Sequence, residues 1–317
     1  MRKNKLLLLA VFGSLLFSNS ILLAAVDNKI IMIAVNGTNF KVYDDSNNEK
    51  GSTLSYYDRT KTIHRATLAE DITAKAGGLK VAFKGLTVIT FYENGNIAVG
   101  VLAEDLITNS ARFKMNRQIK FTESGEIEEG TLATAAKING VFYKGLTKIT
   151  FYSSGKVKEG YLANTTTING IDYGAKKITY HDSGQVYMGR LEKNTIINGY
   201  EFKGSEIVSF YKSGKLNEGT LAEDIIIGKY TLPRNTEISF YESGNLKKGR
   251  PYGEFIESNG IKFLIDSRGI YFYESGKVQA GYLAEDVIIS KILYKKYAPL
   301  KINEDGNVLE YGGFAIK

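Results

Sequence analysis

The chain has no cysteine, no tryptophan, only three prolines among 317 residues, and just two histidines, His64 and His181. Absence of cysteine excludes disulfides, thiolate metal sites and a cysteine nucleophile. With two histidines, any metal would have to rely on carboxylates or carbonyls, and any serine hydrolase site would have two candidate bases. No glycine-rich phosphate loop, zinc-ligand spacing or nucleophile elbow occurs. Long helical periodicity is missing as well. What the chain does have is glycine (33), tyrosine (21) and phenylalanine (16). Many glycines with few prolines suit tight turns between short strands.

The first residues, MRKNKLLLLAVFGSLLFSNSILLAA, combine a basic head (Arg2, Lys3, Lys5), an apolar run and small residues at Ala24-Ala25. This is the pattern of a secretory signal peptide over residues 1–25, broken by Ser18-Asn19-Ser20 and barely long enough to span a bilayer. The formal charge of the whole chain is +7, of which these residues contribute three positive charges and no negative ones, leaving +4. Export with so mild a charge argues against a nucleic-acid partner and is compatible with an acidic envelope surface or peripheral membrane contact. The expected location is the periplasm, the outer surface or the medium.

The remaining residues repeat. A turn glycine recurs at Gly95, Gly125, Gly155, Gly184, Gly214, Gly244 and Gly276, at intervals of 29 to 32 residues. A second glycine follows each by five positions, from Gly100 to Gly281, and a leucine two further on, from Leu102 to Leu283, with Pro251 breaking that series. Asn-Gly with an aromatic three residues later lies in a third phase, at Asn36, Asn139, Asn169, Asn198 and Asn259. Self-similarity at this period is the mark of a repeat array, in which one unit cannot bury a core alone. The unit reads as strands only: "KITFY" and "VKEGYLA" form one hairpin, and "TTI" and "IDY" around Asn169-Gly170 a second, since Asn-Gly is the strongest short hairpin signal. The expected fold is all-β: an elongated array of about eight units of some thirty residues, built from short antiparallel hairpins as a single-layer meander or a β-solenoid. It fills residues 26–317, with degraded end units at 26–71 and 301–317. Asp44 to Gly51 reads as a loop insertion. The glycine at +5 falls mid-strand, a place where glycine is tolerated when another group approaches closely, such as an aromatic ring from the next strand.

The run "[FY]-Y-x-[SN]-G" at Phe91–Gly95, Phe151–Gly155, Phe210–Gly214, Phe240–Gly244 and Phe272–Gly276 resembles bacterial MORN-type repeat proteins in their variant form. The unit here is longer and carries the extra Asn-Gly hairpin. The resemblance covers nearly all of the mature chain, and it implies a binding or scaffolding array with no catalytic residues and no cofactor to carry over.

Two features invite a functional reading. "LAED" at Leu68–Asp71, Leu102–Asp105, Leu221–Asp224 and Leu283–Asp286 offers oxygen ligands of the kind calcium takes. Other units replace the acidic pair, so a solvated turn is the better reading and no metal site is expected. The adjacent aromatics say more, because neighbours in a strand point to opposite faces. With Phe91 and its equivalents facing the core, Tyr92, Tyr152, Tyr211, Tyr241 and Tyr273 would form an outward stripe able to contact a partner. Cross-strand packing of the same rings competes with that reading. The function expected is a non-catalytic exported scaffold that binds a protein or envelope surface along its length. The alternative is an outer-membrane β-barrel, although its strands would need longer apolar alternation than "KVKEGYLA" offers.

Overall fold

The computed structural model describes residues 29–44 and 54–315. The proposed signal peptide over residues 1–25, and all of the proposed loop insertion except Asp44, lie outside them. All regular structure in the described residues is β, arranged as a long antiparallel ladder of short hairpins.

One unit shows how the sequence builds it. Gln118–Phe121 and Ile127–Thr131 form the main hairpin. Between them Thr122 N donates to Glu126 O at 2.8 Å and Gly125 N to Thr122 O at 2.9 Å. Gly125 sits at φ 96, and the register slips between Lys120 and Phe121. This is a type I turn closed by a glycine bulge, which is why a glycine holds that place in unit after unit. Ala136–Ile138 and Val141–Tyr143 then form a small hairpin. Its turn residues Asn139 and Gly140 both have positive φ, 48 and 87, the type I′ geometry that Asn-Gly satisfies with least strain. The chain next enters Lys148–Phe151, which pairs with Ile127–Thr131.

Main hairpins pair edge to edge from Ser55–Tyr56 to Phe314–Ala315. Among the described residues the two end strands each have one neighbour, so the ladder is open. The small hairpins do not pair with one another. Five of them are tied to the main hairpin that follows in the chain by a bridge at the base, such as Phe113 to Leu132 or Tyr143 to Leu162. They lie as a second row over one face of the ladder, and the core fills the space between. Along Gln118–Phe121, Ile119 and Phe121 are buried and Gln118 is exposed, as strand alternation requires.

The mid-strand glycine has the close contact that its position suggested. A Cβ on Gly130 would lie 2.5 Å from Cδ1 of Phe113, and one on Gly160 2.7 Å from that of Tyr143. Gly189 meets Tyr173 at 2.5 Å and Gly219 meets Phe202 at 2.6 Å. The ring comes from the small hairpin that precedes this main hairpin in the chain rather than from the next strand. At the C-terminal end Tyr311 stands where this glycine would be, with Tyr294 edge-on at 4.9 Å. Here the ring of the small hairpin packs edge-on against a second ring instead of over a glycine.

Candidate partner-binding surfaces

The tyrosines after the core aromatics occupy the seams between units. Each is half-buried and its hydroxyl donates to the backbone carbonyl of the core residue one unit on. Tyr92 reaches Phe121 O at 2.8 Å. Tyr152 reaches Tyr180 O, Tyr211 reaches Phe240 O, Tyr241 reaches Phe272 O and Tyr273 reaches Ile302 O, all at 2.7 Å. Tyr57 does the same to Phe91 O at 2.9 Å, and His181 Nε2 lies 2.9 Å from Phe210 O. Burial first, then nearby carboxylates, push the hydroxyl pKa of Tyr92, Tyr211 and Tyr241 up, and burial with Asp182 does so for Tyr152. Lys158 and Lys247 lie over the rings of Tyr152 and Tyr241, at 5.6 and 5.7 Å from the centroids. What these residues leave to a partner is therefore ring surface, because the hydroxyl is already engaged.

The series has one gap. Thr122 replaces the tyrosine, and its hydroxyl turns back to Glu126. Phe151, whose carbonyl the missing hydroxyl would reach, is only half-buried, whereas Phe91, Phe121, Phe210, Phe240 and Phe272 are buried.

The "LAED" aspartates tie two turns together. Asp105 Oδ1 accepts the amide of Met115 at 2.7 Å, Asp224 that of Arg234 at 2.8 Å, and Asp286 that of Lys296 at 2.8 Å. Asp71 accepts Gly85 N at 2.7 Å, and Asn194 substitutes for it in its own unit by accepting Gly204 N at 2.9 Å. These backbone hydrogen bonds are the main reason the carboxyls of Asp105, Asp224 and Asp286 sit below the usual range. Among the described residues no group of three or more acidic or histidine side chains could hold a metal ion. His64 packs on Tyr57 at 4.8 Å between ring centroids, far along the array from His181.

Two features of the surface were not legible in the sequence. The first is a row of apolar side chains on the outward face of the small hairpins. The central cross-strand pair of a small hairpin points away from the core: Lys137 with Phe142, Ile196 with Glu201, Ile226 with Thr231, Ile288 with Leu293, while two hairpins carry polar pairs there, Thr167 with Asp172 and Glu257 with Lys262. At this position Ile107, Ile196, Ile226 and Ile288 are 70 to 71% exposed, and Phe142 is 51% exposed. In the sequence these isoleucines sit in runs such as "DIIIG" and look like core. Only knowing which residue of the three-residue strand faces out reveals them.

The second feature is a carboxyl pair on the ladder's uncovered face. Glu218 and Glu237 lie on paired strands, and Glu218 stands opposite Ser239. A hydrogen bond to Glu237, then burial, then the charge of Glu237 push the Glu218 carboxyl up to about 7. The two residues belong to different units, nineteen positions apart, and only the strand register brings them together.

No family model matches the chain, and no curated protein matches it.

Proposed function

We propose that the chain is an exported, non-catalytic repeat scaffold of MORN-like type that binds a protein or envelope partner along its length. The observation that carries this reading is the outward apolar row on the small hairpins. Isolated exposed apolar residues are ordinary, but one position that is apolar and exposed in five small hairpins, at Ile107, Phe142, Ile196, Ile226 and Ile288, is a surface that recurs along the array, interrupted at Thr167–Asp172 and Glu257–Lys262. With two ladder strands per unit, successive small hairpins are about 10 Å apart, so the row offers many modest contacts along one extended partner. The tyrosines at the seams add ring surface and hold the units in register. Each contact is small, and affinity comes from their number.

The test uses mature protein (residues 26–317) and envelope fractions of the source cells in a co-sedimentation assay. Changing Ile107, Ile196, Ile226 and Ile288 together to Thr keeps strand propensity while removing apolar surface. Binding that falls stepwise with each change, at unchanged circular dichroism, supports the proposal. Undiminished binding in the quadruple variant sinks the row as the docking surface. A second arm changes Tyr152, Tyr211 and Tyr241 to Ser. Loss of fold there assigns the rings to the seam alone. Export is checked by mass spectrometry of the N-terminus, where cleavage after Ala25 is expected.

A further inference from the structure

Clefts open between the tips of successive small hairpins, above the turns of the main hairpins. Two regular ones, beside Asn139 and beside Asn169, have volumes of about 280 and 330 Å³. The cleft beside Gly228 has about 680 Å³. That is the size of a small-molecule site.

The difference has a cause in the turn sequence. At three of the Asn-Gly turns the asparagine reaches down and ties the small hairpin to a main one. Asn139 Oδ1 accepts Val157 N at 3.2 Å, Asn169 donates to Gln185 Oε1 at 2.9 Å, and Asn36 donates to Asn96 Oδ1 at 3.1 Å. At the wide cleft the turn is Gly228-Lys229. Only Gly228 has positive φ, 59, so the turn is of the II′ kind, which calls for glycine at its first position. Beyond Gly228 nothing lies within 4 Å of where a Cβ would be. The asparagine bridge found at the two narrow clefts is absent here.

The lining is also different. Where the narrow clefts present Val141 and Ile171, the wide one presents Tyr230. Its hydroxyl donates to Gly276 O at 3.0 Å and its ring rests on Phe272 at 4.9 Å, so the ring is fixed in place across the wall. Leu246, 5% exposed, and the fully buried Phe272 lie beneath it. Around it stand the amide of Asn245, the carboxylate of Glu257 and the hydroxyl of Ser258, none of which has a side-chain hydrogen bond or ion pair among the described residues. Lys229 and Lys277 are balanced by Glu257 and Glu274, so the lining carries no net charge.

From this we infer that the cleft between Gly228-Lys229 and Ser258-Asn259 is a binding site for a neutral pyranose saccharide. A charge-balanced site gives an ionic ligand no net attraction. A sugar ring has an apolar C–H face for the half-buried Tyr230 ring, and hydroxyls that both donate and accept for Asn245, Glu257 and Ser258. This site is separate from the outward apolar row, and neither depends on the other.

The experiment is saturation-transfer NMR with isothermal titration on residues 26–317, using maltotriose and N,N′,N″-triacetylchitotriose as probes and trilysine and triglutamate as ionic controls. At least one saccharide is expected to bind saturably in the millimolar range or tighter, with transfer to its ring C–H protons. Two variants borrow residues the array already uses. Tyr230→Ile should weaken binding at least tenfold, and Gly228→Asn with Lys229→Gly, which installs the bridging Asn-Gly turn, should abolish it. Circular dichroism should be unchanged in both. No saturable saccharide binding by the parent protein overturns the inference, as does equal binding of the peptides, or saccharide binding that both folded variants retain. Should either variant misfold, the transfer pattern of the parent decides: saturation must reach the ligand from the Tyr230 ring resonances, and its absence refutes the site.

Discussion

Gly160→Val is the sharpest test of how the two rows pack. Gly160 lies within Val157–Tyr161, between Ile149 and Ile178 on the flanking strands. By strand propensity alone, Val should gain up to about 1 kcal/mol over Gly. A Cβ there would stand 2.7 Å from Cδ1 and 2.9 Å from Cε1 of Tyr143. Carbon atoms pack at about 3.5–4.0 Å, so the ring would have to move by close to 1 Å. It has little room: Tyr143 is 1% exposed and its hydroxyl bonds Tyr180 at 3.1 Å. Overpacking of this kind costs about 1–3 kcal/mol, and the two γ-methyls of Val place it toward the upper end. The net expectation is a loss of about 1–3 kcal/mol. Repeat arrays need not unfold in one step, so the readout is native-state hydrogen exchange at Tyr161 and Ile149 beside urea denaturation. Combining the substitution with Tyr143→Ala should recover part of the loss, because the space is then free. A neutral or stabilising Gly160→Val, or a loss that Tyr143→Ala leaves untouched, would refute the reasoning.

Filling the gap in the tyrosine series should stabilise: Thr122→Tyr supplies the hydroxyl that Phe151 O lacks, worth about 0.5–1.5 kcal/mol, and the converse Tyr211→Phe should cost about 1 kcal/mol by stranding Phe240 O. Both are read from denaturant midpoints, and opposite signs would contradict the seam role. The Glu218 pair predicts a pH dependence. Its carboxyl is raised in the folded state from about 4.5 to about 7, so folding takes up a proton in that window and stability declines as pH rises through it. Glu237→Gln should flatten the decline and raise stability at neutral pH, by no more than about 1 kcal/mol given solvent screening. Thermal denaturation of both proteins between pH 4 and 8 checks this, and an unchanged slope would count against the pairing.

The repeat and its turns were legible because they are local. The turn glycine, the Asn-Gly pair and the mid-strand glycine each answer to backbone geometry or one close contact with the adjacent hairpin, and the structure places each as that geometry requires. Features that depend on contacts between turns or units were not. Asp105 gives no sign in sequence that it caps an amide ten residues away at Met115. Tyr152 reads as an outward residue by alternation, yet its hydroxyl reaches the next unit, because the ladder sets adjacent hairpins within reach of a phenol. Ile196 and Ile226 look like core by composition, and only the two-residue turn beside them decides that they face out. Gly228 looks like an ordinary turn glycine until the asparagine bridges of its counterparts are seen.

The central claim, a linear array of interchangeable two-hairpin units, is tested most directly by small-angle scattering on residues 26–317 with and without Phe121–Thr150. That deletion joins Lys120 to Phe151, in phase with the Thr150–Phe151 junction it replaces, and it removes the Thr122 gap so that Tyr92 faces Phe151 O as it now faces Phe121 O. The account predicts two folded rods of equal cross-section, the variant shorter by about 10 Å, the spacing of two strands. An unfolded variant beside a stable parent, or two compact globules, would contradict it.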